Sequence, residues 1–283
     1  MSDAIATGLH HDLPHQDYLA QHDWLSASGI KKLIPPFTPA HFKAAMDAGE
    51  HFSDAFDTGK AVHALLLEHD PGAAVIPVDA ASWLGKEAQA ARKAIREAGL
   101  VPILTRDLPA AQAMADAVRG DPVAAPLFSN GESEVSAFWI DPATGVKCRA
   151  RFDYLPKKVK GKRLIVPDLK TAISGDPSEF EKAAARYGYY VQAEHYRDAL
   201  MALGVDDDPA FVFVTVEKEY PHLVDVHQFP APADVKLARG AVDRARRIFA
   251  ECAAADIWPG RPPVVNNLQL PPWLHYQLEE YLT

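Results

Sequence analysis

The sequence predicts an α/β fold, in which a helical N-terminal layer precedes a mixed central β-sheet that is flanked by helices. Helical patterns interrupted by prolines occupy most of the chain before residue 121. Between residues 134 and 156, apolar and polar side chains alternate on both sides of a turn, as expected of a β-hairpin. Further strand-like runs and a long helical segment follow. Mixed elements of this kind pack as helices against a sheet.

The first half of the chain is predicted to be mainly helical. Ser26 or Ser28 is expected to cap the first helix and Gly49 to end the second, because hydroxyl side chains and glycine are favoured at those positions. Asp121-Pro122 is expected to break the last helical zone. The predicted helical segments are 25–34, 35–49, 53–68 and 80–120.

The predicted sheet begins with a hairpin whose turn is Pro142–Gly145. A third strand follows a lysine-rich loop, and a long helix then extends to a C-cap at Gly204. Two more strands and a basic, alanine-rich helix come next. These segments are the strands 134–142, 146–156 and 163–171, the helix 178–204, the strands 211–219 and 222–230, and the helix 231–255.

We expect one domain rather than several, because 283 residues are compatible with a single large α/β domain that carries appendages. Its helical N-terminal layer is predicted over residues 1–52 and its core over residues 53–255. Residues 256–283 are predicted to form a proline-rich tail that leads into a short terminal helix.

The composition excludes disordered and fibrous classes, since 48% of the residues are hydrophobic and 24% are charged. The net charge of −9 argues against a protein whose whole surface binds nucleic acid by neutralising phosphates. A local basic channel remains compatible with it. Residues 147–170 contain nine lysines and arginines against two aspartates, so positive charge is concentrated in this stretch.

Cysteine and hydropathy patterns indicate the compartment. Cys148 and Cys252 are too few for a disulfide scaffold, a four-cysteine zinc site or an iron–sulfur cluster supplied by this chain alone. The N-terminal residues lack the basic start and apolar run of a signal peptide, and no stretch approaches 18 apolar residues. We therefore expect a cytoplasmic protein without a membrane partner.

A candidate metal site lies on the predicted strands. Asp168 and Lys170 are two residues apart on one strand, so both side chains project to the same face. Asp153, late in the preceding strand, would add a second carboxylate, and such a pair repels unless a divalent cation lies between the two groups. Taken singly, these residues are more commonly turn formers or solvated charges than parts of a metal site.

Two further positions support this interpretation. Gln192 and Tyr196 are four residues apart on the following helix and share one face, from which they could hydrogen-bond water, Lys170 or a phosphate. His63 lies on an earlier helix, where a histidine alone is more often packed or exposed than a ligand. The combination of these residues predicts a Mg²⁺ site next to a lysine that orients or helps to deprotonate a water for attack on a phosphodiester.

The order of these motifs resembles the PD-(D/E)XK nucleases, and within them the branch of RecB and lambda exonuclease. The nuclease domain of RecE, exodeoxyribonuclease VIII, is the most similar in this branch, and the resemblance extends over residues 13–280. It therefore implies a restriction-endonuclease-like core. The elements that carry the resemblance are Gly59-x-x-x-His63, Asp153, Pro167-Asp168-Leu169-Lys170-Thr171 and Tyr189-x-x-Gln192-x-x-x-Tyr196.

The resemblance implies roles for individual residues. The metal ligands would be the side chains of His63, Asp153 and Asp168 and the backbone carbonyl of Leu169. Lys170 would be the catalytic lysine, with Gln192 and Tyr196 near the scissile phosphate. Glu134 is either an additional acidic residue near the metals or a simple edge-strand charge.

The activity implied is that of a Mg²⁺-dependent exodeoxyribonuclease, with Mn²⁺ as an alternative metal. It would digest double-stranded DNA from 5′ to 3′ and leave 3′ overhangs for recombination or repair of the phage or prophage type. A single-strand annealing protein and a ring of identical subunits are the implied partners. The alternatives are an endonuclease or single-strand nuclease on the same core, and a noncatalytic nucleic-acid-binding module.

Candidate DNA contacts lie outside the metal site. Ser26, Ser28 and Lys31 at a helix N-terminus could hold a 5′ phosphate, although plain helix capping is the alternative. Lys157, Lys158 and Lys160 could follow a DNA backbone, or they could form a solvated loop. A second basic patch is predicted on the late helix, with the same two alternatives, from Arg239, Arg244, Arg246 and Arg247.

Overall fold

The computed structural model describes residues 5–48, 54–68, 71–229 and 231–282, so the predicted helix end at Gly49 lies outside the described residues. Helices predominate in the first part of the described chain, and most of the strands lie between residues 131 and 227. The helices are α1 (His15–Leu19), α2 (Ala27–Lys31), α3 (Pro39–Ala48), α4 (Asp54–Leu67), α5 (Pro71–Ala74), α6 (Lys86–Glu97), α7 (Leu108–Gly120), α8 (Pro177–Tyr187), α9 (Tyr189–Ala202), α10 (Pro232–Ala255) and α11 (Pro272–Glu279).

The strands confirm the predicted mixed α/β class, but in the described residues they form three separate sheets. Two sheets have the strand orders β1-β4-β5 and β6-β7-β8, and in the third β2 pairs with β3 in parallel. β6 and β7 are parallel, whereas β8 is antiparallel to β7. The strands are β1 (Gly8–His10), β2 (Val75–Val78), β3 (Val101–Leu104), β4 (Gly131–Ile140), β5 (Lys147–Pro156), β6 (Ile165–Ala172), β7 (Ala210–Glu217) and β8 (Val224–His227).

Helices cover both faces of the β6-β7-β8 sheet, since alternate residues of its central strand, β7, are buried on opposite sides. Phe211 and Phe213 of β7 belong to an apolar cluster that includes residues of α2, α9 and α10. Val214 and Val216 of the same strand belong to a second cluster, formed with α4 and α7. The predicted α/β class is therefore confirmed as helices, sheet and helices in three layers.

The predicted helical zone 80–120 is partly wrong, since β3 interrupts it. Residues 86–97 and 108–120 are helical, but Val101–Leu104 pairs in parallel with Val75–Val78. Gly99 has a φ of 77°, a left-handed conformation that stops α6. A four-residue strand whose partner lies far away along the chain has no periodicity of its own to distinguish it from helix.

The long helix predicted over residues 178–204 is also interrupted. Gly188 has a φ of 65° and a ψ of 41°, so it ends α8 in the left-handed region, and α9 starts at the next residue. A Cβ on Gly188 would lie 3.2 Å from Cγ of Lys31. The left-handed backbone and the close approach of Lys31 both explain why glycine occupies this corner.

Gly188→Ala is expected to lower the free energy of unfolding by about 1–2 kcal/mol, since alanine disfavours the left-handed conformation. Urea unfolding followed by circular dichroism measures the change. Gly240→Ala is the matched control, because this exposed glycine lies inside α10 and a Cβ there meets no atom within 4 Å. The control should gain about 0.5–1 kcal/mol from helix propensity. Equal effects at the two positions would contradict the explanation.

The N-terminal residues run along the hairpin formed by β4 and β5. Gly8–His10 pairs with β4, and the Arg149 guanidinium lies 4.6 Å from the ring centre of Tyr18. Arg149 also donates a hydrogen bond to the backbone carbonyl of Tyr18. The early chain is therefore attached to the strand that carries Asp153. In the described part of the molecule, no helix has the length and apolarity needed to cross a membrane.

Candidate active site

The predicted pair Asp168 and Lys170 is formed on β6. The Lys170 ammonium contacts Oδ2 of Asp168, which is 2% exposed. Burial lowers the pKa of Lys170, but the carboxylates of Asp168 and Asp153 outweigh it, so the pKa is raised overall. Lys170 is therefore a cation at neutral pH in the structure described.

The side chain of Asp153 joins the two three-stranded sheets. β5 and β6 lie side by side without a shared ladder. Oδ2 of Asp153 instead accepts a hydrogen bond of 2.9 Å from the backbone N–H of Leu169. Burial raises the pKa of Asp153 to about 6; His63 opposes this rise, and the Asp168 carboxylate adds to it. The predicted carboxylate pair is therefore brought together between adjacent strands.

His63 reaches the same point from α4. Its Nε2 lies 2.9 Å from the backbone carbonyl oxygen of Leu169, and its Nδ1 lies 3.5 Å from Oδ2 of Asp153. The side chain of His63 is 23% exposed, so it remains accessible from the solvent side. The structure thus places the histidine beside two of the other predicted ligands.

The helix α9 supplies Gln192 and Tyr196, as the spacing predicts. Nε2 of Gln192 donates a hydrogen bond of 2.5 Å to Oδ1 of Asp168. The Tyr196 ring packs between Phe152 and Phe211, with ring centres 5.2 Å and 5.5 Å away. Gln192 therefore touches the acidic group directly, whereas most of the Tyr196 side chain supports the strands beneath it.

Glu134 lies opposite Asp153 in the hairpin. Ser133 pairs with Tyr154 and Val135 with Phe152, which leaves Glu134 and Asp153 facing one another between these pairs. Glu134 adopts a left-handed φ of 56°, and its carboxylate accepts a hydrogen bond of 2.5 Å from Nε of Arg151. This placement favours the prediction of an acidic residue near the metals over that of an edge-strand charge.

The donor set fits a divalent cation in its chemistry. Two carboxylates and a backbone carbonyl are the hard oxygen ligands that Mg²⁺ and Mn²⁺ prefer, and imidazole is compatible with Mn²⁺. In the part of the chain that is described, no three His, Cys, Asp or Glu residues already form a metal cage. The groups are instead engaged with one another, so a cation has to compete with the Lys170, Gln192 and Leu169 contacts.

His63, Asp153, Leu169 and Lys170 line one large cleft with a volume of about 1820 Å³, and the buried Asp168 contacts Lys170 behind this lining. Its walls come from the N-terminal residues, α4, α6 and the strand ends, and Lys170 and Gln192 line it. Ligand pockets for small molecules usually have volumes of about 300–1,000 Å³. The cleft is thus large enough for several units of a polymer.

The predicted phosphate contacts at α2 also line the cleft. Ser26 is the helix cap, because its hydroxyl accepts a hydrogen bond of 3.3 Å from the backbone N–H of Gly29. The Ser28 hydroxyl lies 2.9 Å from that of Ser26. Burial and the neighbouring Lys170 lower the pKa of Lys31 to about 8. Capping by Ser26 is confirmed, while a DNA contact by the three residues stays a prediction.

The lysines of the loop between β5 and β6 lie outside the cleft. Lys157, Lys158 and Lys160 are not among the residues that line the cleft. Lys158 instead forms an ion pair with Asp206 and donates a hydrogen bond to the backbone carbonyl of Lys162. The positive charge of this loop therefore does not line the candidate metal site, and any DNA contact there would be on an outer surface.

Three residues of the site were missed as functional positions. Tyr189 lies between two cations, with the ammonium groups of Lys170 and Lys31 at 5.2 Å and 5.6 Å from its ring centre. Arg151 and Lys60 both line the cleft. The spacing of Arg151 and Lys60 could have identified them, because each shares a face with a predicted ligand. Arg151 is two residues before Asp153 on a strand, and Lys60 is three residues before His63 on a helix.

Comparisons with known proteins agree with this fold. A protein from Eubacterium rectale, named "Putative exonuclease", superposes with a TM-score of 0.62 at 15% sequence identity, covering 93% of this chain and 96% of its own. The protein SSO0001 aligns with a TM-score of 0.27 at 16% identity over 66% of this chain and 84% of its own, a likeness that supports no conclusion. No functionally curated protein matches the chain.

The family comparison covers most of the sequence. The model of a PDDEXK-like domain of unknown function, DUF3799, matches residues 26–266, a span that contains His63, Asp153, Asp168 and Lys170. The predicted membership of the PD-(D/E)XK superfamily is thereby confirmed, and family and fold together support a nuclease. PD-(D/E)XK nucleases generally use divalent metal ions. The chain belongs to the family of PDDEXK-like domains described as DUF3799.

Proposed function

We propose that this protein is a metal-dependent exodeoxyribonuclease that digests double-stranded DNA from 5′ to 3′ and leaves 3′ overhangs. The observation that carries the proposal is the convergence of Asp153, Asp168, Lys170 and His63 on one point of a large cleft. The resemblance to the RecE nuclease domain supports the polarity and the duplex substrate. We propose that this activity serves DNA recombination or repair of the phage type and that it takes place in the cytoplasm.

The residues divide the work between holding a cation and acting on the phosphate. Asp153, Asp168, His63 and the Leu169 carbonyl would hold Mg²⁺ or Mn²⁺, with Glu134 nearby. When bound, the cation would neutralise phosphate charge and lower the pKa of a water. Lys170, held as a cation by Asp168, would donate hydrogen bonds to the attacking water or to a phosphate oxygen. Gln192 fixes the Asp168 carboxylate so that its second oxygen faces Lys170.

Two partners belong to the same proposal. A single-strand annealing protein would coat the 3′ overhang as it forms. A ring of identical subunits would retain duplex DNA during successive cleavages, because a closed ring holds its substrate topologically. Both follow from the resemblance to RecE and lambda exonuclease.

Digestion of duplex DNA labelled at either end tests the activity, the metal requirement and the polarity together. With Mg²⁺, we expect a 5′ label to be released early and a 3′ label to stay on a strand that shortens slowly. Without Mg²⁺ or Mn²⁺, neither label should be released. Early release of the 3′ label would contradict the polarity, and digestion of closed circular DNA would contradict the exonuclease in favour of an endonuclease.

A further inference from the structure

A closed circuit of side-chain contacts connects four elements that line one part of the cleft. It begins where the N-terminal segment, residues 11–19, passes over β5. Nη1 of Arg151 donates a hydrogen bond of 2.9 Å to the backbone carbonyl of Leu13. From the same strand, Asp153 meets His63 of α4 at 3.5 Å. The N-terminal segment, β5 and α4 are thus linked in sequence around one side of the cleft.

The circuit continues from α4 to α6 through a buried ion pair. Asp57 of α4 is 3% exposed and accepts hydrogen bonds from Nε of Arg92 at 2.7 Å and from Nη2 of Arg96 at 2.5 Å. Both arginines belong to α6 and line the cleft. A buried, doubly hydrogen-bonded carboxylate holds the two helices together firmly, because separating the partners would leave a charge without compensation.

Gln16 completes the circuit. Its Nε2 donates to the backbone carbonyl of Glu97 at 3.2 Å and to that of Arg96 at 3.4 Å. We call this contact the clasp. It is exposed and formed by one neutral side chain, so it is worth only about 0.5–1.5 kcal/mol. The clasp is therefore the weakest link of a circuit whose other contacts are buried or charged.

The space inside the circuit suits a charged polymer strand. Lys60 and Arg151 line it from α4 and β5. Nε2 of His15, on the N-terminal segment, is buried and has no hydrogen-bond partner among the described residues. The positive charge of these two side chains favours the phosphates of a nucleotide strand in a cleft of about 1820 Å³, and His15 Nε2 offers that strand a polar contact.

We propose that a DNA strand reaches the carboxylates by threading its free end through this circuit while the clasp stays closed. This inference rests on the proposed nuclease function and adds a reason for end dependence within a single chain. A closed passage admits only a strand that has an end, whereas an open groove admits any strand. The N-terminal segment and the clasp would therefore determine substrate specificity.

Locking the clasp with a covalent link tests the proposal. Gln16→Cys and Glu97→Cys introduce two exposed thiols at its ends, and a short bis-maleimide joins them, while the native Cys148 and Cys252 are buried. We expect the locked enzyme to keep at least about half of its rate on linear DNA, because threading needs no opening. Each single-cysteine variant, treated with the same reagent, is the matched control.

Loss of digestion after locking, with active single-cysteine controls, would overturn threading, since it would show that the cleft must open. A binding measurement without metal separates this inference from the nuclease proposal. The locked protein should bind a linear single strand at least about tenfold more tightly than the same strand closed into a circle. Equal binding of both would overturn threading, whereas absent digestion by the unmodified protein would overturn the nuclease proposal alone.

Discussion

Asp168→Asn is expected to reduce Mg²⁺-dependent digestion of duplex DNA to background while the protein stays folded. Removing one preorganised charged or hydrogen-bonding group from an active site commonly costs about 10²–10³ in rate. Asp168 would also be a metal ligand, so we expect a larger loss here. Asparagine has the same shape, and its carbonyl oxygen can still accept the hydrogen bond that Gln192 donates to Oδ1.

The initial rate on end-labelled duplex measures this effect, and far-ultraviolet circular dichroism checks the fold. Asp23→Asn is the matched control, because Asp23 is 61% exposed, pairs with Lys147 on the surface and does not line the cleft. The control should keep its rate, since exposed ion pairs contribute little. An Asp168→Asn variant that digests DNA at the unmodified rate would contradict the assignment of the active site.

Local patterns were sufficient for the strands that carry the site. The alternation in β4 and β5 comes from a hairpin with one register, and the two-residue spacing of Asp168 and Lys170 fixes a shared face. Gln192 was found for the same reason, since helical spacing fixes its face. These inferences succeed because each depends on residues close together in the chain.

Other features depend on contacts between distant residues. β3 exists because it pairs with β2, and Asp153 joins β6 by a side-chain bond to the Leu169 N–H that no periodicity encodes. Gly188 was misread because a helical pattern tolerates an isolated glycine, so the residue alone does not show that a helix ends there. The clasp between Gln16 and α6 likewise has no local signal.

Charge patterns were the least informative, and Arg246 shows why. It was predicted to belong to a surface patch, but this is wrong because Arg246 is 2% exposed. Its Nη1 donates to Asp198 at 2.8 Å and to Asp141 at 3.0 Å. Its Nη2 lies 3.0 Å from Nδ1 of His195, whose pKa burial and Arg246 hold well below the usual range. A guanidinium surrounded by carboxylates is stable inside the protein, and sequence alone cannot reveal those partners.

Arg246→Met is therefore expected to lower the free energy of unfolding by about 3–5 kcal/mol, because Asp141 and Asp198 would lose their buried counter-ion. Urea unfolding measures the loss. Arg247→Met is the matched control, since the next residue along α10 is exposed and the same substitution there should change stability by less than about 0.5 kcal/mol. Equal losses would mean that the charge of α10 as a whole matters rather than the buried network. A loss at Arg246 alone would show that the buried network stabilises the fold, in which Arg246 links Asp198 of α9 to Asp141 at the end of β4.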